Sequence, residues 1–516
     1  MKSTFLVLLC FLASCKLPLK ESSQIKVLLE ENTSHLQDKN LAPFYHGVAS
    51  GDPLQKSVIL WTRVTPKYKS NNIPVQWEIA LDSKFRKVVG KGNYKTNVAR
   101  DYTVKVEATN LRPNTKYFYR FKALDSYSKV GETKTIAQGD EEINLAVVSC
   151  SNIEFGYFNA YAAICKEEVD AVIHLGDYIY EYGPDVYGDK EFYRKNIPPH
   201  EIISLQDYRD RYSQYRLDED LKKLHTLVPF INIWDDHEIT NNAYVEGAQN
   251  HQADEGDYLT RKNIARQVFY EWLPIRETKT HYRSFNFGDN LDLIMLDERL
   301  AGRTIQPDTI TDSQRVKASH TLLGKTQMQW LEKELKNSSA QWKIIGNQVI
   351  FSYSDWGYDG FRQNMDAWDG YPADQKKLSD IISNGPIQNV IFVTGDTHTG
   401  WAFEATAEPF SNYNPQTAEG AIGIEFGVTS ISSGNSNERM SNEKVLKHEK
   451  KIKSLALNPH LKYVNMRDHG YLKLSINKSE VTAEFKIVED LSQRSTNSSI
   501  DQTFIVRSGQ NKLVSQ

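Results

Sequence analysis

Val390-Ile391-Phe392-Val393-Thr394-Gly395-Asp396-Thr397-His398 decides how this chain is read. A short β-branched and aromatic run is cut off by glycine, and a carboxylate and an imidazole follow at once. Such a run reads as a buried strand that delivers polar groups to its carboxyl end. The same design occurs three times upstream. Leu145 to Ser149 leads to Cys150, Ala171 to Gly176 leads to Asp177 and Tyr180, and Phe230 to Trp234 leads to Asp235, Asp236 and His237. In open α/β sheets ligands bind at the carboxyl edge. Four strands converging there with thiolate, phenolate, carboxylate and imidazole donors predict a multi-metal hydrolase.

Around these runs strands and helices alternate. Trp330, Leu331 and Leu335 mark a helix over Gln327 to Lys336, between strands at Leu291 to Leu296 and Trp342 to Phe351. Strands return at Gly423 to Thr429, Tyr471 to Ile476, Val481 to Val488 and Thr503 to Val506. Antiparallel pairs appended to α/β units predict an α+β fold. Upstream, Ser57 to Val64, Val75 to Ala80, Tyr102 to Glu107 and Tyr117 to Ala123 are short alternating runs. Leu111 to Tyr117 is similar to the turn before a late strand in fibronectin- or immunoglobulin-like sandwiches. The expected organisation is a β-sandwich domain over 41–138, a boundary at Gln138 to Glu142, and a catalytic domain over 143–516. Asn435 to Ser454 is polar and expected to be a mobile excursion, its Lys444 to Lys453 cluster a solvated surface.

The 516 residues leave room for two domains and a substantial core. A net charge of −4 carries no signature of bulk nucleic-acid binding. Lys2 opens a cationic start, and the apolar run Phe5 to Ala13 is too short to span a bilayer, so residues 1–15 read as an export leader. It closes on Leu12-Ala13-Ser14-Cys15, which resembles a bacterial lipobox and implies cleavage before Cys15 and lipidation of that cysteine. Residues 16–40 are polar and expected to form a tether. Cys150 and Cys165 then remain, and a ligand role for Cys150 is expected over a disulfide.

Gly176-Asp177, Asp236-His237-Glu238 and Gly395-Asp396-Thr397-His398 follow the succession of calcineurin-type metallophosphoesterases. A narrower set of blocks runs through nearly the whole mature chain: Phe44 to Pro53, Ser57 to Arg63, Ser149 to Asn152, His174 to Tyr182, Trp234 to Glu238, Trp368 to Ala373, Gly395 to Gly400 and His469 to Tyr471. This ordered set resembles the PhoD-like alkaline phosphatases. The resemblance implies a fibronectin/immunoglobulin-like β-sandwich followed by a metallophosphoesterase αββα sandwich. It also implies one ferric ion and calcium ions, two being expected, in a centre that hydrolyses phosphomonoesters and phosphodiesters. Its metal ligands would be Cys150, Asp177, Tyr180, Asp236, Asn242, Asp396 and His398.

The residue types agree with that centre. A thiolate at Cys150 and a phenolate at Tyr180 suit trivalent iron, Asp177 can bridge it to a neighbouring hard cation, and carboxylate and amide oxygens suit calcium. Tyr180 stands where many metallophosphoesterases carry a second aspartate, which favours an iron–phenolate site over a two-zinc one. Two features depart from the family: the leader lacks the paired arginines of several relatives, and Gln375 stands where arginine is common.

The expected chemistry is in-line attack on phosphorus by a metal-activated oxygen, without a covalent phospho-enzyme and with Asp236 and His237 as catalytic residues. His237 either serves the leaving group or binds metal; Asp235 either binds metal or orients a ligand; Asn242 is a ligand or a turn former. Arg299 and Arg276 are candidate forks for phosphate. His174 reads as a core histidine, His46 and Asp52 as turn-fixing, and His469 as a residue at the site's edge. The leading function is a lipid-anchored phosphatase of the bacterial cell envelope, acting on extracytoplasmic phosphate esters. A phospholipase D-type diesterase working on phospholipid headgroups and a non-catalytic metal-binding surface lipoprotein are the alternatives.

Overall fold

The computed structural model describes residues 26–190 and 192–516. The leader expected over residues 1–15 and its Cys15 lie outside the described residues.

Two sheets packed face to face form the body. One runs in the order Leu513–Ser515, Ser499–Arg507, Glu480–Val488, His469–Ile476, Ile143–Val148, Ala171–His174, Phe230–Asn232, Val48–Gly51, Val58–Arg63 and Thr103–Ala108. The other runs Arg283–Phe287, Leu291–Met295, Trp342–Asn347, Val390–Thr394, Gly423–Gly427, Gly400–Ala405 and Leu461–Asn465. The period-2 geometry of a strand assigns the faces. Leu145 and Val147 point at the facing sheet, meeting Leu293, Ile344 and Ile391, while Ala146 and Val148 point outward to Tyr161 and Phe158. Helices Asn159–Ile164, Leu205–Leu217 and Tyr258–Trp272 cover the first sheet, and Gly324–Asn337, Pro372–Ser383 and Asn442–Ile452 cover the second. The result is the αββα sandwich expected of an α+β fold.

The N-terminal sandwich is present, but one of its layers is not its own. Ile73–Ala80, Val88–Thr96, Lys116–Ala123 and Gly131–Lys134 form one layer. The other, Val48–Gly51, Val58–Arg63 and Thr103–Ala108, continues the ten-stranded sheet through parallel pairing of Gly51 with Phe230. Asp52 locks that seam, its carboxylate accepting from Arg276 N and Arg283 Nη2, both at 2.8 Å. A small apolar core, with Phe44, Val58, Leu60, Ile79 and Phe121, fills the space between the layers.

Two expectations need correction. The tether was expected to reach residue 40, yet Arg63 pairs with Glu31 at 2.6 Å, Thr33 bonds Ser213 at 2.7 Å, and Asn32 bonds Asp210 at 2.6 Å. These polar side chains find partners on the body, so the segment packs despite its composition. Asn435 to Ser454, expected as a mobile excursion, contains the helix Asn442–Ile452. Val445, Glu449 and Ile452 share one buried face of it, and the surrounding lysines mask that periodicity in the sequence. Among the described residues, Cys150 and Cys165 are both free.

Candidate metal centre

Every strand end singled out in the sequence delivers its polar residue to one edge. Cys150, Asp177, Asn242, Asp396 and His398 all have left-handed backbones, with φ of 61°, 54°, 53°, 62° and 61°. For residues carrying a Cβ that conformation costs of order 1–3 kcal/mol and persists only where the surroundings impose it. Here the imposition is visible: Cys150 N donates to Gly176 O at 3.1 Å, and Gly395 N to Gln348 O at 3.0 Å. Gly176 itself has φ +107°, and a Cβ there would overlap the Asp235 main chain. Only glycine lets these two strand ends approach so closely.

The donors fall into three adjoining groups. Ligand atoms of Cys150, Asp177 and His398 lie within 4.8 Å of one another, as do those of Asp177, Asp236 and His237, and those of Asp235, Asp236 and Asp396. Asp177 belongs to the first two groups and Asp236 to the last two, so the three form a continuous run. Tyr180 joins the first: its hydroxyl donates to Asp177 Oδ2 at 2.9 Å, accepts from Ser433 Oγ at 2.6 Å, and lies 3.3 Å from His398 Nε2. Asn242 sits beside the run through its backbone, its N–H donating to Asp236 Oδ2 at 2.6 Å. Its side-chain nitrogen donates to Gln249 at 2.8 Å, which leaves Oδ1 as its donor atom for a cation.

The electrostatics show what this cluster lacks. Burial pushes the Cys150 thiol up, and neighbouring Asp177 adds to the effect. Burial likewise lifts Asp177 and Asp396, which also face further carboxylates. Asp236 behaves oppositely: against burial, Arg299 and His237 hold it down at about 2. His237 is raised well above the usual imidazole range despite burial, because Asp236, Glu181 and Asp177 surround it. Asp177 Oδ1 and Asp235 Oδ2 are buried without any hydrogen-bond partner. Buried anions without partners are costly unless countercharge is supplied. The donor set therefore fits hard and borderline cations.

A second ring of residues orients the donors. His398 donates from Nδ1 to the Gly434 carbonyl at 2.9 Å, which leaves Nε2 unprotonated toward Tyr180, and burial lowers the ring to about 4. Glu181 accepts from His237 Nδ1 at 2.6 Å. Glu238 accepts three backbone N–H groups, from Asp177 at 3.0 Å, Tyr178 at 2.6 Å and Asp235 at 2.8 Å, so one carboxylate fixes two ligand loops. Tyr187 lies against His398, with its hydroxyl 3.3 Å from Nδ1. Sequence reasoning gave these four no role. Glu181 and Glu238 were signalled as acids directly after Tyr180 and His237, whereas nothing local marked Gly434 or Tyr187.

Both arginine forks are corrected. Arg299 is fully buried and committed to Asp235, to Asp366 at 2.7 Å and to Asp396 at 3.5 Å. Arg276 pairs with Glu107, and its Nη2 donates to the Asp52 carbonyl at 3.2 Å. Neither guanidinium is available to phosphate. His174 is a core residue hydrogen-bonded to Tyr161 at 2.9 Å. His46 bonds Ser213 at 2.8 Å, and His469 lies between Ser430 at 2.8 Å and Glu438 at 3.0 Å.

Comparison with known proteins agrees with this architecture. The profile described as PhoD-like phosphatase matches residues 145–485, and its N-terminal-domain profile matches residues 31–137. The chain belongs to the PhoD-like phosphatase family. It is 35% identical over 496 residues to alkaline phosphatase D of Bacillus subtilis (strain 168), covering 91% of this chain and 82% of that protein. The solved structure titled "Structure of PhoD" superposes with a TM-score of 0.82 at 33% identity and 93% coverage of both chains. Of the PhoD-like blocks quoted from the sequence, Ser149 to Asn152, His174 to Tyr182, Trp234 to Glu238 and Gly395 to Gly400 carry the donors gathered around Asp177 and Asp236, while Phe44 to Pro53 and Ser57 to Arg63 lie in the N-terminal sandwich.

Proposed function

We propose that this PhoD-like chain hydrolyses phosphomonoesters and phosphodiesters at the centre built on Asp177 and Asp236, with one ferric ion and two calcium ions bound. The observation that carries the reading is the run of three donor groups sharing those two carboxylates, with Asp177 Oδ1 and Asp235 Oδ2 buried and unpartnered. Cys150, Tyr180, His398 and Asp177 would hold iron; Asp177, Asp236, Asn242 and Asp396 would hold calcium. Clustered cations supply Lewis-acid charge that neutralises phosphoryl oxygens and stabilises a leaving oxygen.

The chain's own residues do the positioning. Glu238 holds the Asp177 and Asp235 loops at fixed separation, Gly434 sets the His398 tautomer, and Arg299 keeps the carboxylate group from flying apart. His237, its Nδ1 held by Glu181, would carry a proton on Nε2 for the reacting ester. That proton serves the leaving oxygen.

We also place the chain outside the cytoplasm on a lipid at Cys15, a reading supported by the Leu12-Ala13-Ser14-Cys15 segment. Among the described residues no helix is long and apolar enough to cross a membrane.

The deciding experiment assays chain replete with iron and calcium, as verified by elemental analysis, on p-nitrophenyl phosphate and bis-p-nitrophenyl phosphate. Hydrolysis abolished by chelation and by Asp177→Asn is expected; inertness of metal-replete chain toward both esters would sink the reading. Mass spectrometry of the mature N-terminus tests the lipid.

A further inference from the structure

The helix Asn442–Ile452 turns one side to the body and leaves the rest in solvent. Val445, Glu449 and Ile452 are its buried face. Lys444, Lys447, Lys450, Lys451 and, just beyond the helix, Lys453 are all exposed. That is five cations within ten residues of a chain whose net charge is −4. Their countercharge is meagre. Glu449 is turned inward, accepting from Met466 N at 2.7 Å and Arg467 Nε at 3.0 Å, so Glu443 is the one exposed acid on the helix. Among the described residues none of the five lysines forms an ion pair; Lys451 is tied instead to the Gly357 carbonyl.

Apolar side chains stand out among these charges. Leu446 is 51% exposed and Leu455 68%. On the other flank of the helix, His448 holds the Tyr358–Phe361 hairpin, its Nε2 bonding the Trp356 carbonyl at 2.9 Å and its ring stacking on Tyr358 at 4.0 Å. Unbalanced lysines interleaved with exposed apolar side chains suit an interface that is negatively charged outside and hydrocarbon beneath.

We propose that the outer face of the helix Asn442–Ile452, with Leu446 and Leu455, docks on an anionic phospholipid surface. The lysines meet lipid phosphates while the two leucines enter the acyl boundary. The segment that fixes His398, through Gly434 and Asn435, runs through the turn Ser436–Glu438 into this helix. The attachment is independent of the lipid proposed on Cys15, and of catalysis.

The test uses the mature chain produced from Lys16 onward, without the leader or Cys15, so that neither contributes. It is sedimented with vesicles of phosphatidylcholine alone and of phosphatidylcholine mixed with phosphatidylglycerol. Binding to the anionic vesicles that weakens with salt is expected. Replacing Lys444, Lys447, Lys450 and Lys453 with glutamine should weaken it roughly a hundredfold or more, at about fivefold per surface lysine. The pair Leu446→Ser and Leu455→Ser should weaken it too. Hydrolysis of a soluble ester, unchanged in both variants, confirms that they are folded and reads the catalytic proposal separately. Equal binding of the parent and the four-lysine variant, or equal binding to neutral vesicles, overturns the proposal. Lysine-dependent binding to soluble polyphosphate without binding to anionic vesicles also overturns it, in favour of a polyanion.

Discussion

Glu181 accepts the Nδ1 proton of His237 at 2.6 Å, and the pairing has no slack. Its other oxygen is taken by Asn241 N at 2.7 Å, Asn250 Nδ2 at 2.9 Å and Thr240 Oγ1 at 3.2 Å. The imidazole packs on the Tyr180 ring, centroids 4.3 Å apart, and the Tyr182 ring at 5.5 Å. Neither partner can turn away without leaving buried polar atoms unsatisfied. The carboxylate thus fixes which nitrogen of His237 faces the donor cluster.

Glu181→Gln should therefore lower kcat on the order of 10–100-fold while metal content stays unchanged. Glu181 is one of the charges that raise His237, so its loss lowers the imidazole pKa. The alkaline limb of the kcat–pH profile should accordingly move to lower pH. In a His237→Ala background the same substitution should have no further effect on kcat. Additive losses in the double variant would show that Glu181 acts by some other route.

Tyr180 shares Asp177 with the Cys150–His398 group, so its phenolate would be a direct iron ligand. Iron-loaded protein should show a visible phenolate-to-iron band that disappears in Tyr180→Phe, with weaker iron retention during dialysis against chelator. Zinc or manganese in active protein, with no such band, would overturn the assignments of Cys150 and Tyr180.

Metal-free and metal-loaded chains should differ in their pH dependence. Burial raises Asp235 to about 6, Glu238 to about 7 and Glu298 to about 8. A raised carboxyl contributes stability that is fully present below its unfolded value near 4 and is lost as pH rises through the folded value. Burial lowers His174 and His460 to about 3, and such groups lose stability as pH falls below about 6.5. Metal-free chain should thus be most stable in mild acid and weaken through the window from about 6 to about 8. Cations favour the ionised donors, so the rise in Tm on adding metal should grow with pH. A rise in Tm that is flat with pH across that window would contradict the assignment of these donors.

What the sequence disclosed follows from range. Cys150, Asp177, Asp236, Asp396 and His398 each stand within a few residues of a buried β-branched run, so strand period and abrupt termination revealed them locally. The contacts that organise them are not local. Gly434 reaches His398 from 36 residues away, Glu181 reaches His237 from 56, and Arg299 reaches Asp235 from 64. No periodicity encodes such pairings, and this is why Arg299 looked like a phosphate fork. The shared sheet escaped notice for the same reason: Gly51 finds Phe230 only once both layers have formed. Val88–Thr96 was missed for a different cause, since its two glycines and exposed lysines interrupt the alternation.

Arg299 offers the sharpest stability test. Its side chain has no solvent exposure and neutralises Asp235 and Asp366 directly, with Asp396 at 3.5 Å. Arg299→Met leaves four buried or nearly buried carboxylates, Asp235, Asp236, Asp366 and Asp396, without that charge, and breaking a buried ion pair from one side costs about 3–5 kcal/mol. Arg299→Lys keeps the charge but loses the planar fork that reaches several carboxylates at once, so it should fall between the parent and Arg299→Met. Urea midpoints of the metal-free chain should rank in that order. Adding Asp366→Asn to Arg299→Met removes one of the stranded charges and should recover part of the loss, because the penalty is uncompensated charge and not lost volume. If the double variant is less stable than Arg299→Met alone, packing around the guanidinium outweighs its charge.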